Sequence, residues 1–470
     1  MTANRKRFLL LLSVLIGFFV LYSMAVLLRH LRLESFGYDL GIFTQEVYSL
    51  ASLKLPLNTI KMPNMIIWGD HWTVSLVFLT PFFWIFGKNA VVILITQVLF
   101  VIMAAYFIFK LSFEKTKQFL FSLALVIGFL LFFGTQNALF FDVHPIVFGA
   151  SLLPLLFFLV EKDKWPLFVP LSFIIANFKE DLSIIIALVF FTFFLNKKKK
   201  LLLGLSFFYL LWFLAVRFYF LPYFSPGGYL YSGQSINITA IINFFNSYQK
   251  LLPLILPLSA FIFLPILNKQ GLFLSTAILV ENFTMAIGHY GKGWLFDRHY
   301  WFTMGVVMAL GTISGYCNLC RNIKKKQLIK FLPALLLSSV LLFQYFFHLQ
   351  LNMLTKKEYW NLEKHATLQE IQKQIPATAS LATQNNLAPH FAARPHIYLV
   401  QLSGQQLETG RAEYLLLDLT PGQPIVNFYG IDQKRIESGF KKLIQGGRYK
   451  IIWQKQAFFL AHIVNFEENI

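Results

Sequence analysis

The chain has 470 residues, 57% of them hydrophobic and 17% aromatic, with only 13% charged, whereas a soluble domain averages about 25% charged residues. That composition excludes a soluble globular protein: several apolar runs approach the roughly 20 residues that span a bilayer, as in a polytopic membrane protein. The net charge of +19 does not point to nucleic acid either, because residues 356–470 carry 13 Lys/Arg against 10 Asp/Glu, while the first 355 carry 28 against 12.

In chain order, Arg5, Lys6 and Arg7 precede the run Phe8–Leu28. That run is too long for a signal-peptide core and has no clear small-residue cleavage site, so it reads as an uncleaved first span. A long loop, 29–72, follows on the outer side. The stretch WTVSLVFLTPFFWIFG, 72–87, is short and contains Pro81. Counting it as a crossing would put the basic KLSFEKTK, 110–117, outside, so it is expected to lie in the interface or to re-enter. Spans are then expected at 89–109, 119–133, 146–160, 165–178, 182–195, 201–221, 251–267, 271–287, 300–319 and 329–348, about eleven in all. Basic clusters, KKKK at Lys197–Lys200 and RNIKKK at Arg321–Lys326, mark the cytoplasmic side. The N-terminus is therefore placed inside, in a plasma (inner) membrane.

On this topology Asp39, Asp70 with His71, Asp142 with His144, Lys179 with Glu180 and Asp181, and Asp297 with Arg298 and His299 all fall on the outer side. Ionisable groups next to hydrocarbon are costly and are usually paired or functional. Any one of them alone also reads as an interfacial residue that snorkels, and Asp39, at the start of a helical pattern, also reads as an N-cap. Their shared sidedness favours a site. One carboxylate suffices as general base for a hydroxyl acceptor, and Arg298, Lys179 and His299 can stabilise charge on a departing phosphate. Asp142 and His144 can orient an acceptor or, with Asp39, hold a divalent metal ion, although oxygen ligands are few.

From Thr355 the composition changes. Strand-sized runs at 380–384, 397–400, 414–419 and 449–454 surround a helical pattern, DQKRIESGFKKLIQ, that ends at Gly446-Gly447. This reads as a small extracytoplasmic α/β domain, 355–470, after a membrane domain, 1–354. Cys317 and Cys320 form no metal set, since a zinc site normally needs four ligands. Walker loops, GxSxG elbows, HExxH helices and a cytoplasmic nucleotide-sugar domain are lacking, which favours a lipid-linked donor over a soluble one.

The stretches SFGYDLGIFTQEVYSL (35–50), GDHW (69–72), FDVHP (141–145), NFKEDLS (177–183), FDRHYW (296–301) and TQNNLAPHFAARPHIYL (383–399) resemble an uncharacterised family of predicted polytopic membrane proteins. That family in turn resembles the GT-C glycosyltransferases. The resemblance implies a helical GT-C-like bundle with an interfacial helix before the second span. It also implies catalytic acids in the outer loops, at the places of Asp39 and Asp142, and a polyprenyl-phosphate sugar as donor. Asp70, His71, His144, Lys179, Glu180, Asp181, Arg298 and His299 are then expected to bind substrate. The expected function is transfer of the sugar to an envelope glycan, lipid or protein acceptor on the outer face. Two other functions remain open at this point. One is a transporter or lipid flippase, which would carry mid-membrane charges and inverted repeats. The other is a non-catalytic scaffold whose outer domain binds a partner through LAPHFAARPH, 387–396.

Overall fold

Runs of Leu, Phe, Ile and Ala satisfy their backbone polar groups internally by coiling, which is the condition for lying in lipid. Such helices dominate the computed structural model, which describes residues 3–62, 65–225, 239, 242, 252–288, 299–323, 326–347, 349–404, 406–410 and 412–464. Among the described residues, four helices are long and apolar enough to cross a membrane: Asn4–Leu31, Ala90–Thr116, Lys200–Phe224 and His299–Asn322. A bent pair, Phe119–Leu131 with Phe133–Phe140 at 44°, makes a fifth if counted as one span. Most of the remaining expected spans form apolar helices of 10–17 residues, among them Pro145–Glu161, Trp165–Ala176, Leu182–Lys197 and Leu332–Phe346. At about 1.5 Å per residue these are shorter than a straight crossing. Polar turns end them, and Pro154 and Pro170 lie within two of them without breaking the helix. The stretch Val74–Phe86 is likewise helical and too short to cross.

The chain divides into two compact units. The first comprises Met1–Ala25, Trp68–Ser75 and Gln97–Leu354. Here the loops at the two ends of the same helices gather separately. At one end Lys115 pairs with Glu161 and Lys162 with Glu114, both at 2.5 Å, and Lys197 and Lys199 both reach Asp163, at 3.1 and 2.8 Å. His144 begins the helix that Glu161 ends, and Asp181 begins the helix that Lys197 ends. The polar turns carrying His144 and Asp181 therefore lie at the opposite end from the lysine cluster.

The second unit joins Val26–Ile67 and Leu76–Thr96 to Thr355–Ile470. Five strands, β1 (Leu381–Thr383), β2 (Ile397–Leu399), β3 (Tyr414–Asp418), β4 (Tyr449–Lys455) and β5 (Phe458–Ile463), form one sheet in the order β2-β1-β3-β5-β4. Both neighbours of β1 run parallel to it, and the β3–β5 and β4–β5 pairs are antiparallel. The central β3, YLLLD, is a continuous apolar run because both its faces are covered. The helix Gln433–Gln445 packs Ile436 and Phe440 onto Leu415, Leu417 and Ala461. Asp432 caps it by accepting from the Lys434 N–H at 3.0 Å, and it stops at Gly446 and Gly447, the latter at φ +71°.

The first loop belongs to this same unit. Gln45 donates to Thr59 Oγ1 at 2.9 Å and to the carbonyl of Pro395 at 3.0 Å, and Thr59 exchanges hydrogen bonds with the backbone of Ile397 at 2.7 and 2.9 Å. A Cβ on Gly37 would stand 2.8 Å from that of Ala388, so only glycine permits this approach.

Candidate functional site

Four stretches that are far apart in sequence form a connected polar network in the first unit. FDVHP lies between the helices Phe133–Phe140 and Pro145–Glu161. Asp142 there adopts φ +65°, a left-handed conformation that aspartate tolerates better than most residues. Gln97, buried in the Ala90–Thr116 helix, holds the turn by donating to the Asp142 carbonyl and accepting from the His144 N–H, each at 2.9 Å. His144 Nε2 lies 2.7 Å from the carbonyl of Phe141 and must donate to it, because a carbonyl only accepts. Pro145 then begins the next helix at the position where a missing N–H costs nothing.

The His144 ring stacks on His299 with centroids 3.5 Å apart and planes 20° apart. His299 opens the short turn His299–Trp301, whose Trp301 is fully buried. Gly134 makes this approach possible, since a Cβ there would fall 2.5 Å from the Trp301 carbonyl oxygen. Tyr300 follows, and its ring lies 4.3 Å from that of His299.

The turn NFKED connects the helices Trp165–Ala176 and Leu182–Lys197. Glu180 is buried and bonded twice, to His71 Nδ1 at 2.8 Å and to the backbone N–H of Trp72 at 3.0 Å. Asn177 accepts from the Trp72 indole N–H at 2.6 Å, and its carbonyl accepts from the Ser75 N–H at 2.9 Å. Lys179 pairs with Asp181 at 3.0 Å. Burial works against the charge of both Lys179 and Glu180, but their partners outweigh it. Asp181, Glu180 and Tyr300 raise the Lys179 pKa, while His71 and Lys179 lower that of Glu180 to about 2. Both groups are therefore charged at neutral pH. The neighbouring wall is aromatic, with Trp72 stacked on Phe220 at 5.0 Å and Trp68 edge-on to Phe224.

Of the residues singled out in the sequence, His71, Asp70, Asp142, His144, Lys179, Glu180, Asp181 and His299 all belong to this first unit. Asp70 and Asp142 are buried within their turns. Asp297 and Arg298 lie outside the described residues. Asp39 belongs to the second unit, half-buried in the tight turn Gly37–Gly41. It is not an N-cap: the helix Ile42–Ala51 begins after Gly41, and no side chain caps it. Gln97, Asn177 and Tyr300 complete the network although sequence reasoning gave them no role. The signal for Gln97 was an amide within the apolar run VVILITQVLFV. Among the described residues, no group of three or more His, Cys, Asp or Glu is placed to hold a metal ion.

Residues 29–459 match the family described as Predicted membrane protein (DUF2079). Among curated proteins, none matches the chain.

Proposed function

The chain belongs to this family of predicted membrane proteins, and from that premise we propose that it transfers a sugar from a polyprenyl-phosphate donor to an acceptor on the outer face of the membrane. The observation that carries the reading is the network of His71, Glu180, Lys179, Asp181, His144 and His299, built at one end of apolar helices whose other end holds the lysine cluster. Basic loops remain cytoplasmic, which supports an outer position for the network and a cytoplasmic N-terminus. The first loop and residues 355–470 pack as one unit, which supports placing both on the same side.

In the proposed reaction the acceptor hydroxyl oxygen attacks the anomeric carbon, and the bond from that carbon to the phosphate oxygen breaks. The hydroxyl proton passes to a carboxylate, the role proposed for Asp39 of the second unit, and the electron pair stays on the leaving phosphate. In the first unit Lys179 is the cation proposed for charge developing on such a phosphate, and Glu180 holds His71 beside it. Asp142 and His144 of the same unit are proposed to bind substrate. Purified protein in vesicles with a radiolabelled polyprenyl-phosphate hexose and envelope lipid extract tests the reading. Transfer should be lost in Asp39→Asn and fall about a hundredfold or more in Lys179→Met, the order of the effect of removing one preorganised electrostatic group. Unchanged transfer in Asp39→Asn rules out the assigned base. Ion-gradient-driven solute uptake in the absence of any transfer would favour a transporter.

A further inference from the structure

The second unit carries an aromatic surface feature that no step above uses. Tyr38, in the Gly37–Gly41 turn, stacks on Tyr429 with ring centroids 4.1 Å apart and planes 21° apart. Tyr429 remains 43% exposed, and beside it Ile425 and Val426 are exposed as well. Its backbone is left-handed, at φ +52° and ψ +45°, a conformation that costs a bulky L residue about 1–2 kcal/mol and glycine nothing. The pair is held from beneath by Asn385. Its side-chain oxygen accepts from the Tyr38 N–H at 3.1 Å, its amide donates to the Val426 carbonyl at 3.0 Å, and its own carbonyl accepts from Gly37 at 2.7 Å. One asparagine thus fixes both tyrosine-bearing segments. The Lys61 ammonium lies 6.0 Å from the centre of the Tyr38 ring, and Asp39 is the next residue of the same turn.

A rigid, half-exposed tyrosine pair flanked by a cation and a carboxylate suits a ligand with one apolar face and a rim of hydroxyls. A pyranose has that form: its axial C–H bonds meet the negative face of an aromatic ring, and its hydroxyls bond to charged side chains. We infer that Tyr38 and Tyr429 form a stacking platform for a pyranose ring of the acceptor, presenting a hydroxyl to Asp39. The word acceptor rests on the transferase reading above; the sugar platform itself does not.

Saturation-transfer NMR on the full chain in detergent tests this, with methyl α-mannopyranoside, methyl β-glucopyranoside and N,N'-diacetylchitobiose as probes. At least one probe should receive saturation from the wild type. Tyr429→Gly relieves the backbone, which offsets the lost ring stack, and should weaken binding about three- to tenfold, the value of one aromatic contact, at a detergent melting temperature that checks its fold. Tyr429→Phe should bind as the wild type does. No saturation of any probe, or equal binding by Tyr429→Gly and wild type, overturns the platform. The two readings fail separately. Transfer by Tyr429→Gly with unchanged KM for acceptor removes the platform and leaves the transferase. Tyr429-dependent sugar binding in a protein that transfers from no donor removes the transferase and leaves the platform.

Discussion

Gln97 grips Asp142 through the backbone: its side-chain amide donates to the Asp142 carbonyl, while its oxygen accepts from His144 two residues on, both at 2.9 Å. One side chain thereby satisfies a buried donor and a buried acceptor in a left-handed turn that the ladders of the adjoining helices cannot reach. Gln97→Leu keeps the volume and removes both partners, so it should cost about 2–4 kcal/mol. A fall in the detergent melting temperature would register the loss. Gln97→Glu, which can still accept from His144, should lose less, and equal melting of Gln97→Leu and wild type would show that the grip does not matter.

Glu180 gives a sharp acid response. Burial opposes its charge, but His71 and Lys179 hold its pKa at about 2, below the ordinary 4.5. A depressed carboxyl pKa contributes stability that is complete above the ordinary value and is lost as pH falls from about 4.5 towards about 2. Lys179, raised by Asp181, Glu180 and Tyr300 against its burial, contributes below its ordinary value and loses that contribution only as pH rises above it. The network should therefore weaken in acid. Removing one partner of a buried pair costs about 3–5 kcal/mol, so Glu180→Ala should destabilise by that order. Glu180→Gln should reduce the acid limb of a plot of melting temperature against pH; an unchanged limb would assign it to other carboxylates.

The sequence revealed most clearly what stands out from an apolar background. His71, His144, Lys179 and Glu180 were visible because charge near hydrocarbon is costly, and the C-terminal strands and the helix ending at Gly446-Gly447 were visible because strand alternation and helix stops are local signals. Local signals did not carry the pairing of Gln97 with a turn 45 positions away, or of Gln45 and Thr59 with residues near 395. The hairpin Gln401–Ser403 with Gln406–Glu408 was missed because each strand has only three residues. Eleven spans were expected where four helices, or five with the bent pair, are long and apolar enough to cross among the described residues, because hydropathy reports that a segment is apolar, whereas helix length depends on where the polar turns end it.

The helix Thr80–Phe86 should rest at the bilayer surface. Trp84 ties its indole N–H to the Ala51 carbonyl at 2.8 Å while 58% of the residue is exposed, and Ile85 and Phe86 beside it are more exposed still. Lys88 follows, bonded to Ser52 at 2.9 Å. A polar-anchored tryptophan beside apolar residues and a lysine is the composition of a membrane-interface belt. Fluorescence in vesicles of brominated lipid should show quenching that is reduced in Trp84→Phe, the Trp84 share being strongest for bromines near the headgroups. Quenching equal in the two proteins would mean that Trp84 does not touch lipid.

Three histidines meet in the second unit: His390 stacks on His30 at 3.9 Å, and His365 stands 6.2 Å from His390. Burial, with His30 and His365 alongside, pushes the His390 pKa well below its ordinary 6.5, and burial lowers that of His365 as well. A lowered histidine pKa means that the folded state favours the neutral ring, so the contribution is complete above about 6.5 and declines as pH falls below it. Each further pH unit removes about 1.4 kcal/mol for a ring that is neutral only when folded, and less for the partly exposed His365. Protease cleavage within 355–470 should therefore accelerate as pH is lowered from about 7.5 to about 5.5. His390→Phe, which keeps an aromatic ring against His30 without the titration, should flatten that response. If His390→Phe and wild type are cleaved with the same pH dependence, the histidine cluster is not what acid loosens.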